Sequence, residues 1–94
     1  MKLKEFKTWD KLRKNVETVQ GHEVKDHKYK NDITLLAFRK NDEWFIVERL
    51  TGWYFTWGHK TLKEAVNAVN NCRFNHDQLF RMVYQELLQY GCLN

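Results

Sequence analysis

Apolar positions along this chain follow two periodicities, and each predicts a different kind of element. Leu3, Phe6, Trp9, Leu12, Val16 and Val19 recur at steps of three and four residues. That spacing lines one face of a helix, with Lys7, Lys11 and Lys14 on the opposite face. It predicts a helix over 8–19, with Thr8 as its N-cap and Gly21 as its stop. Over 33–57 the period changes. ITLLAFRK, EWFIVERL and WYFTW are rich in β-branched and aromatic residues, and the turn signals Asn41-Asp42 and Thr51-Gly52 separate them. Three antiparallel strands are expected. The first turn sets Phe38 opposite Phe45 and Leu36 opposite Val47; the second sets Leu50 opposite Trp53 and Glu48 opposite Phe55.

Helical spacing returns after the strands. Thr61-Leu62-Lys63-Glu64 reads as a capping box ahead of Leu62, Ala65, Val66 and Val69, predicting a helix over 62–72. Asn75-His76-Asp77-Gln78 reads as a second box ahead of Leu79, Val83, Leu87 and Tyr90, predicting a helix over 76–90 that Gly91 ends. The polar stretch 22–30 (HEVKDHKYK) reads as an exposed loop or a poor edge strand. No linker or repeat interrupts the pattern. The expectation is a single α+β domain over 1–94, ordered α-β-β-β-α-α around a three-stranded antiparallel meander.

Alternation across the pleat sorts the strand residues into two sets. One face carries Leu36, Phe38, Phe45, Val47 and Tyr54, with Thr34, Arg49 and Thr56. The other carries Ile33, Leu35, Ala37, Trp44, Ile46, Leu50, Trp53, Phe55 and Trp57, with Arg39 and Glu48. A sheet with one wet face would alternate apolar with polar residues, and this one does not. Either the N-terminal helix covers one face and the C-terminal pair the other, or an aromatic face is left for a partner or a second copy of the chain. A third use, stacking unpaired bases on the rings, ordinarily needs interleaved cations, and this face offers only Arg39.

At 94 residues, with 43% hydrophobic and 15% aromatic content, the chain has material for one core and no room for a two-domain cofactor enzyme. It holds no apolar run near the ~20 residues of a membrane span, and no apolar leader follows Met1. These features predict a cytoplasmic protein without a membrane partner. Cys72 and Cys92 are too few for a disulfide framework and read as buried or idle thiols in a reducing compartment. Of the 16 basic and 12 acidic residues, nine and five fall in the first thirty positions, so the whole +4 excess lies there. Such an excess attracts phosphate or an acidic protein face, and also serves solubility.

Catalytic signatures are missing from the sequence. The chain has no serine and no phosphate-binding glycine loop. His22 and His27 stand one residue further apart than the H-E-x-x-H zinc helix requires, so on a helix they would diverge. Asp77 beside His76 sits in a first helical turn, where the helix dipole alone favours a carboxylate. The expectation is a non-enzymatic protein with no cofactor and no metal.

The segment 58–68 (GHKTLKEAVNA) resembles the start of the second helix of double-stranded RNA-binding domains, with Thr61, Lys63 and Ala65 matching. Leu62 and Val66 stand where that family has phosphate-contacting lysines. The whole element order resembles that of small phage inhibitors of host defence, including anti-CRISPR proteins that block Cas9. Lys and Asn richness, with eleven Lys against five Arg and eight Asn, fits coding from an AT-rich genome. The resemblance implies an inhibitor of a host macromolecular machine such as a CRISPR nuclease, with a host protein or ribonucleoprotein as partner. DNA-mimicking inhibitors are strongly acidic and this chain is basic, so the mode would be a different one. Trp44, Trp53 and Trp57 are the expected anchors, and Lys11, Lys14, Lys25, Lys28 and Lys30 the expected steering charges. The alternatives are a small basic nucleic-acid-binding domain and a homodimer that pairs its spare sheet face.

Overall fold

A computed structural model describes residues 3–10, 15–31 and 33–71, with the backbone alone at Trp57. Its elements are β1 (Lys4–Asp10), β2 (Asn15–Val24), β3 (Leu35–Lys40), β4 (Glu43–Glu48), β5 (Tyr54–His59) and α1 (Leu62–Asn70). The strands form one five-stranded sheet in sequence order, and every neighbouring pair is antiparallel. The fold is therefore a curled antiparallel sheet with a single short helix among the described residues. It is not the expected α-β-β-β-α-α arrangement.

The correction lies at the N-terminus, where β1 and β2 stand in place of the helix over 8–19. The apolar spacing that mimicked a helix has a different origin. Phe6 pairs with Val19 and Trp9 with Val16 across the two strands, so these positions are symmetric about residues 11–14. A hairpin register and a helical stripe can produce the same spacing when the connection carries no Gly, Asn or Pro to announce a turn. The stretch 22–30 divides: His22, Glu23 and Val24 end β2 and pair with β3, while an irregular turn follows. The expected helix over 76–90 lies outside the described residues.

The expected β3–β4 hairpin forms as read. Asn41 and Asp42 both take positive φ, 53° and 62°, the mirror-image turn that matches strand twist. Phe38 faces Phe45 and Leu36 faces Val47. The second hairpin departs from expectation: Val47 faces Tyr54 and Ile46 faces Thr56, with register shifts along the pair, and Leu50 is exposed in the connection. Here the side chain of Glu48 sets the turn. Its Oε2 accepts from the Leu50 N–H at 2.6 Å, and its Oε1 from the Thr51 N–H at 2.9 Å and the Thr51 hydroxyl at 2.8 Å. A tight two-residue turn would leave no loop for that carboxylate to hold.

Both sheet faces are covered. Phe6 joins Leu36, Phe38, Val47 and Tyr54 on one face, with Val19 and Phe45 alongside. On the other, Val24, Tyr29, Ile33, Leu35, Ala37, Ile46 and Phe55 pack under Ala65 and Val69 of α1. The helix starts where expected, with the Thr61 hydroxyl accepting from the Glu64 N–H at 3.1 Å. Among the described residues, a strand and not a helix covers the first face. β2 pairs with β1 through Gly21 and with β3 from His22 onward, and β1 curls over until the Trp9 N–H donates to the Gly52 carbonyl at 2.6 Å.

Candidate functional site

The irregular turn after β2 carries three of the expected steering residues. Lys25, Lys28 and Lys30 are all exposed on it. Backbone bonds shape the turn: the Lys30 N–H donates to the His27 carbonyl at 3.2 Å and the Ile33 N–H to the Tyr29 carbonyl at 3.0 Å. A third bond ties it to α1, where the Lys28 N–H donates to Asn70 Oδ1 at 2.9 Å. His27 and Tyr29 point inward and are buried, so the lysines between and around them point out.

Aromatic contacts connect this turn to one of the expected anchors. The Lys28 ammonium stands 5.6 Å from the Tyr29 ring centre, Tyr29 packs on Phe55 at 6.2 Å, and Trp53 meets Phe55 edge-on at 5.2 Å. Trp44 meets His22 edge-on at 5.7 Å. Trp44 and Trp53 are both half-buried and pack against the helix-covered core, so each ring is core wall on one side and surface on the other. Trp57 lies on β5 with its side chain undescribed, and Lys11 and Lys14 fall outside the described residues. Lys28 and Trp53 are thus linked through one chain of contacts, with Lys25 and Lys30 on the same turn and Trp44 on the same sheet face.

His27 makes the turn sensitive to pH. Its Nδ1 accepts from the Tyr29 N–H at 3.1 Å, which requires an unprotonated nitrogen there. Burial pushes its pKa below the ordinary histidine value; Lys30 adds to that, while Asp26 and Glu23 oppose it. A lowered folded-state pKa means that the unfolded chain takes up the proton first as pH falls. His27 therefore contributes full stability above about pH 6.5, lost progressively as pH drops toward the folded-state value. Thermal melts from pH 7.5 to 5 should show this decline in the parent chain and a flatter profile in His27→Gln. Equal slopes would remove His27 as the cause.

A second feature escaped the sequence reading because it depends on β1 and β2 being strands. Where the end of β1, the start of β2 and the end of β3 come together lies a cleft of about 230 Å³, lined by Thr8, Asp10, Asn15, Glu17, Phe38, Lys40, Asn41, Phe45 and Tyr54. Phe38 and Phe45 stack at 5.2 Å, and Tyr54 meets each of them edge-on at 6.0 Å. The Tyr54 hydroxyl donates to Thr8 Oγ1 at 3.1 Å, and Thr8 donates on to the Glu17 carbonyl at 3.3 Å. Lys40 Nζ reaches both oxygens of the Glu17 carboxylate at 2.8 Å. Burial raises the Tyr54 pKa; the Thr8 hydrogen bond opposes this, Glu17 and Asp10 add to it, and Lys40 opposes it. The one clue in the sequence was Phe6, Thr8 and Asp10 at alternate positions, which places them on one side of a strand.

Comparison of the chain with protein-family models, curated proteins and solved structures returns no match.

Proposed function

We propose that this chain is a non-enzymatic binding protein that docks on a host macromolecular machine and inhibits it, a CRISPR nuclease being the first instance to test. The observation that supports the reading is the run Lys28–Tyr29–Phe55–Trp53, which joins a half-buried tryptophan to a turn with three exposed lysines. A tryptophan that enters a partner's pocket beside a charged rim is the usual anatomy of an interface hot spot. The element order behind the anti-CRISPR resemblance is not the order of this fold, so the reading rests on the surface. The basic charge suits an acidic protein face or a ribonucleoprotein.

One observation favours direct nucleic-acid binding as a second reading: Lys25, Lys28 and Lys30 are exposed together within a single turn. The two readings differ in their response to salt. Anisotropy with labelled DNA and RNA, single- and double-stranded, at about 50 and 200 mM salt should show little binding under the protein-partner reading. Tight binding that collapses at the higher salt, and is lost in the triple Lys→Ala variant of the turn, would promote the nucleic-acid reading.

For the leading reading, Cas9 cleavage assays with the parent chain and with Trp53→Ala and Trp44→Ala give the direct test. Inhibition should weaken about tenfold or more in each variant while the far-ultraviolet spectrum stays unchanged. Variants that stay folded and inhibit as well as the parent would remove these rings from the interface. A parent chain that inhibits no nuclease tested would remove this class of target.

A further inference from the structure

The lysine-bearing turn stands on a closed base. Val24 at the end of β2 pairs with Leu35 at the start of β3, and the Arg49 N–H donates to the Thr34 carbonyl at 2.9 Å, so the base holds without the residues above it. From Lys25 to Asn31 the chain leaves this base, with Lys25, Lys28 and Lys30 outward and His27 and Tyr29 inward. Its ties to the rest of the molecule include the exposed bond from the Lys28 N–H to Asn70 Oδ1 and the packing of Tyr29 on Phe55. Exposed hydrogen bonds and few anchoring side chains are the marks of a segment that opens well before the whole fold does.

His27 holds the turn from inside. The ring is 5% exposed, and its Nδ1 accepts from the Tyr29 N–H at 3.1 Å. That contact needs a bare Nδ1 and so places the ring hydrogen on Nε2. A proton added at Nδ1 turns the acceptor into a donor. Two N–H groups then face each other in a buried place, and the backbone donor is left unsatisfied. Among the described residues, the charges around the ring oppose one another. Burial is the largest influence and keeps the ring neutral; Asp26 on the turn and Glu23 on β2 favour the charged ring, and Lys30 disfavours it. A cavity of about 120 Å³ adjoins the ring, lined by Glu23, Lys25 and Lys30 with the uncharged Val24, Ile33 and Thr34. The α1 residue that reaches the turn, Asn70, is uncharged.

We propose that His27 is a proton-operated latch on this turn: neutral, it holds the turn closed through the Tyr29 N–H; protonated, it lets the turn open on the Val24–Leu35 base while the sheet stays folded. Opening draws Tyr29 away from Phe55 and so uncouples Lys28 from Trp53. The closed turn refuses a proton at Nδ1, whereas in the open turn the ring titrates as an ordinary histidine near ~6.5, so falling pH favours the open form. With a closed ring that stays neutral, the opening constant rises about thirtyfold between pH 7.5 and 5.0. The consequence for docking rests on the reading proposed above: a partner that needs the closed turn binds more weakly as the closed fraction falls.

The test is an NMR titration of the full chain from pH 7.5 to 5.0 with no partner added. Ring nitrogen shifts should give His27 as the Nε2–H tautomer at pH 7.5. On acidification the Lys28 and Tyr29 amides, the Asn70 side-chain amide and the Trp53 indole should shift together with the His27 ring, while the Ala37 and Ile46 amides hold their positions. Hydrogen exchange at the Tyr29 amide, corrected for its intrinsic rate, should quicken about thirtyfold over the same range. His27→Gln keeps an acceptor oxygen without titrating and should show none of these transitions. His27→Ala removes the acceptor and should show the parent's acid shifts already at pH 7.5. Inhibition of any nuclease that the parent chain blocks should weaken between pH 7.5 and 6.0 in the parent and not in His27→Gln. A parent chain that blocks none removes the docking reading, and the titration still decides the latch.

Four results overturn the proposal. An Nδ1–H tautomer at pH 7.5 would remove the hydrogen bond on which the latch depends. Lys28, Asn70 and Trp53 signals that stay in place while His27 titrates would make it a buried histidine without leverage on the turn. Loss of the native Ala37 and Ile46 signals at the His27 midpoint would mean that the whole fold gives way and not the turn. A transition that survives in His27→Gln would belong to another group.

Discussion

Gly21→Ala is expected to destabilise the protein by about 3 kcal/mol, the upper end of what an added methyl costs in a close-packed interior. A Cβ at Gly21 would run into the Ala37 carbonyl oxygen, and would stand 2.9 Å from that carbonyl carbon and 3.0 Å from the Phe38 Cβ. The two nearest atoms are backbone atoms of the central strand and cannot rotate away. The position is also where β2 passes from pairing with β1 to pairing with β3, so the strain falls on the bend that lets β1 cover the Phe38 face. In a chain of this length the loss corresponds to a Tm drop of roughly 15 °C. Gly58→Ala is the informative contrast. It carries the penalty of a positive φ, 53°, but its Cβ would meet the end of the Glu43 side chain, which can swing aside. A cost of about 1–2 kcal/mol is expected there. If Gly21→Ala melts within a degree or two of the parent, the close approach to Ala37 is not a constraint on the fold.

The second large effect is expected from Glu48→Gln, at about 2–4 kcal/mol. Glu48 is 2% exposed, and its two oxygens together take the N–H groups of Leu50 and Thr51 and the Thr51 hydroxyl. An amide has one acceptor oxygen, so whichever way the glutamine side chain lies, its NH2 faces a backbone donor. That leaves at least one N–H of the connection poorly satisfied. The damage reaches beyond the turn, because the Gly52 carbonyl that accepts from the Trp9 N–H belongs to the same segment. Hydrogen exchange should therefore quicken at the Trp9 amide in Glu48→Gln, well beyond what the global loss of stability accounts for. A variant that melts earlier but keeps Trp9 protected in proportion would separate the turn from the closure of the curl.

The elements that were legible in the sequence share one property: their determinants are local. Asn41-Asp42 announced a hairpin because those residues tolerate the positive φ its turn requires. Thr61 and Glu64 announced a helix start because the cap bond spans three residues. Period-two alternation over 33–57 separated Leu36, Phe38, Val47 and Tyr54 from Ile33, Leu35, Ala37, Ile46 and Phe55, and the two sets became two cores, while Leu50, sorted with the second set, is exposed in a connection.

Illegibility came from determinants that are not local. Phe6, Trp9, Val16 and Val19 satisfy a helical stripe and a hairpin register equally, and the choice between them depends on what the strands gain from the rest of the sheet. Glu48 was placed as a face residue of a strand, and its part in building the next turn depends on donors that exist only once that turn has formed. Trp44 and Trp53 were readable as aromatic surface candidates, but not as rings half-embedded in the core beside α1.

The cleft was beyond sequence reading for the same reason. Its floor comes from β3, β4 and β5, its acidic side from β1 and β2, and its Lys40 from the end of β3. Sequence alone determined one hairpin, one helix cap, two apolar sheet faces and a basic N-terminal third, because each is set by residues a few positions apart or by composition. Only the tertiary structure decided that β1 curls over the sheet, since that depends on a glycine's clearance from a carbonyl sixteen residues on and on one hydrogen bond between Trp9 and Gly52.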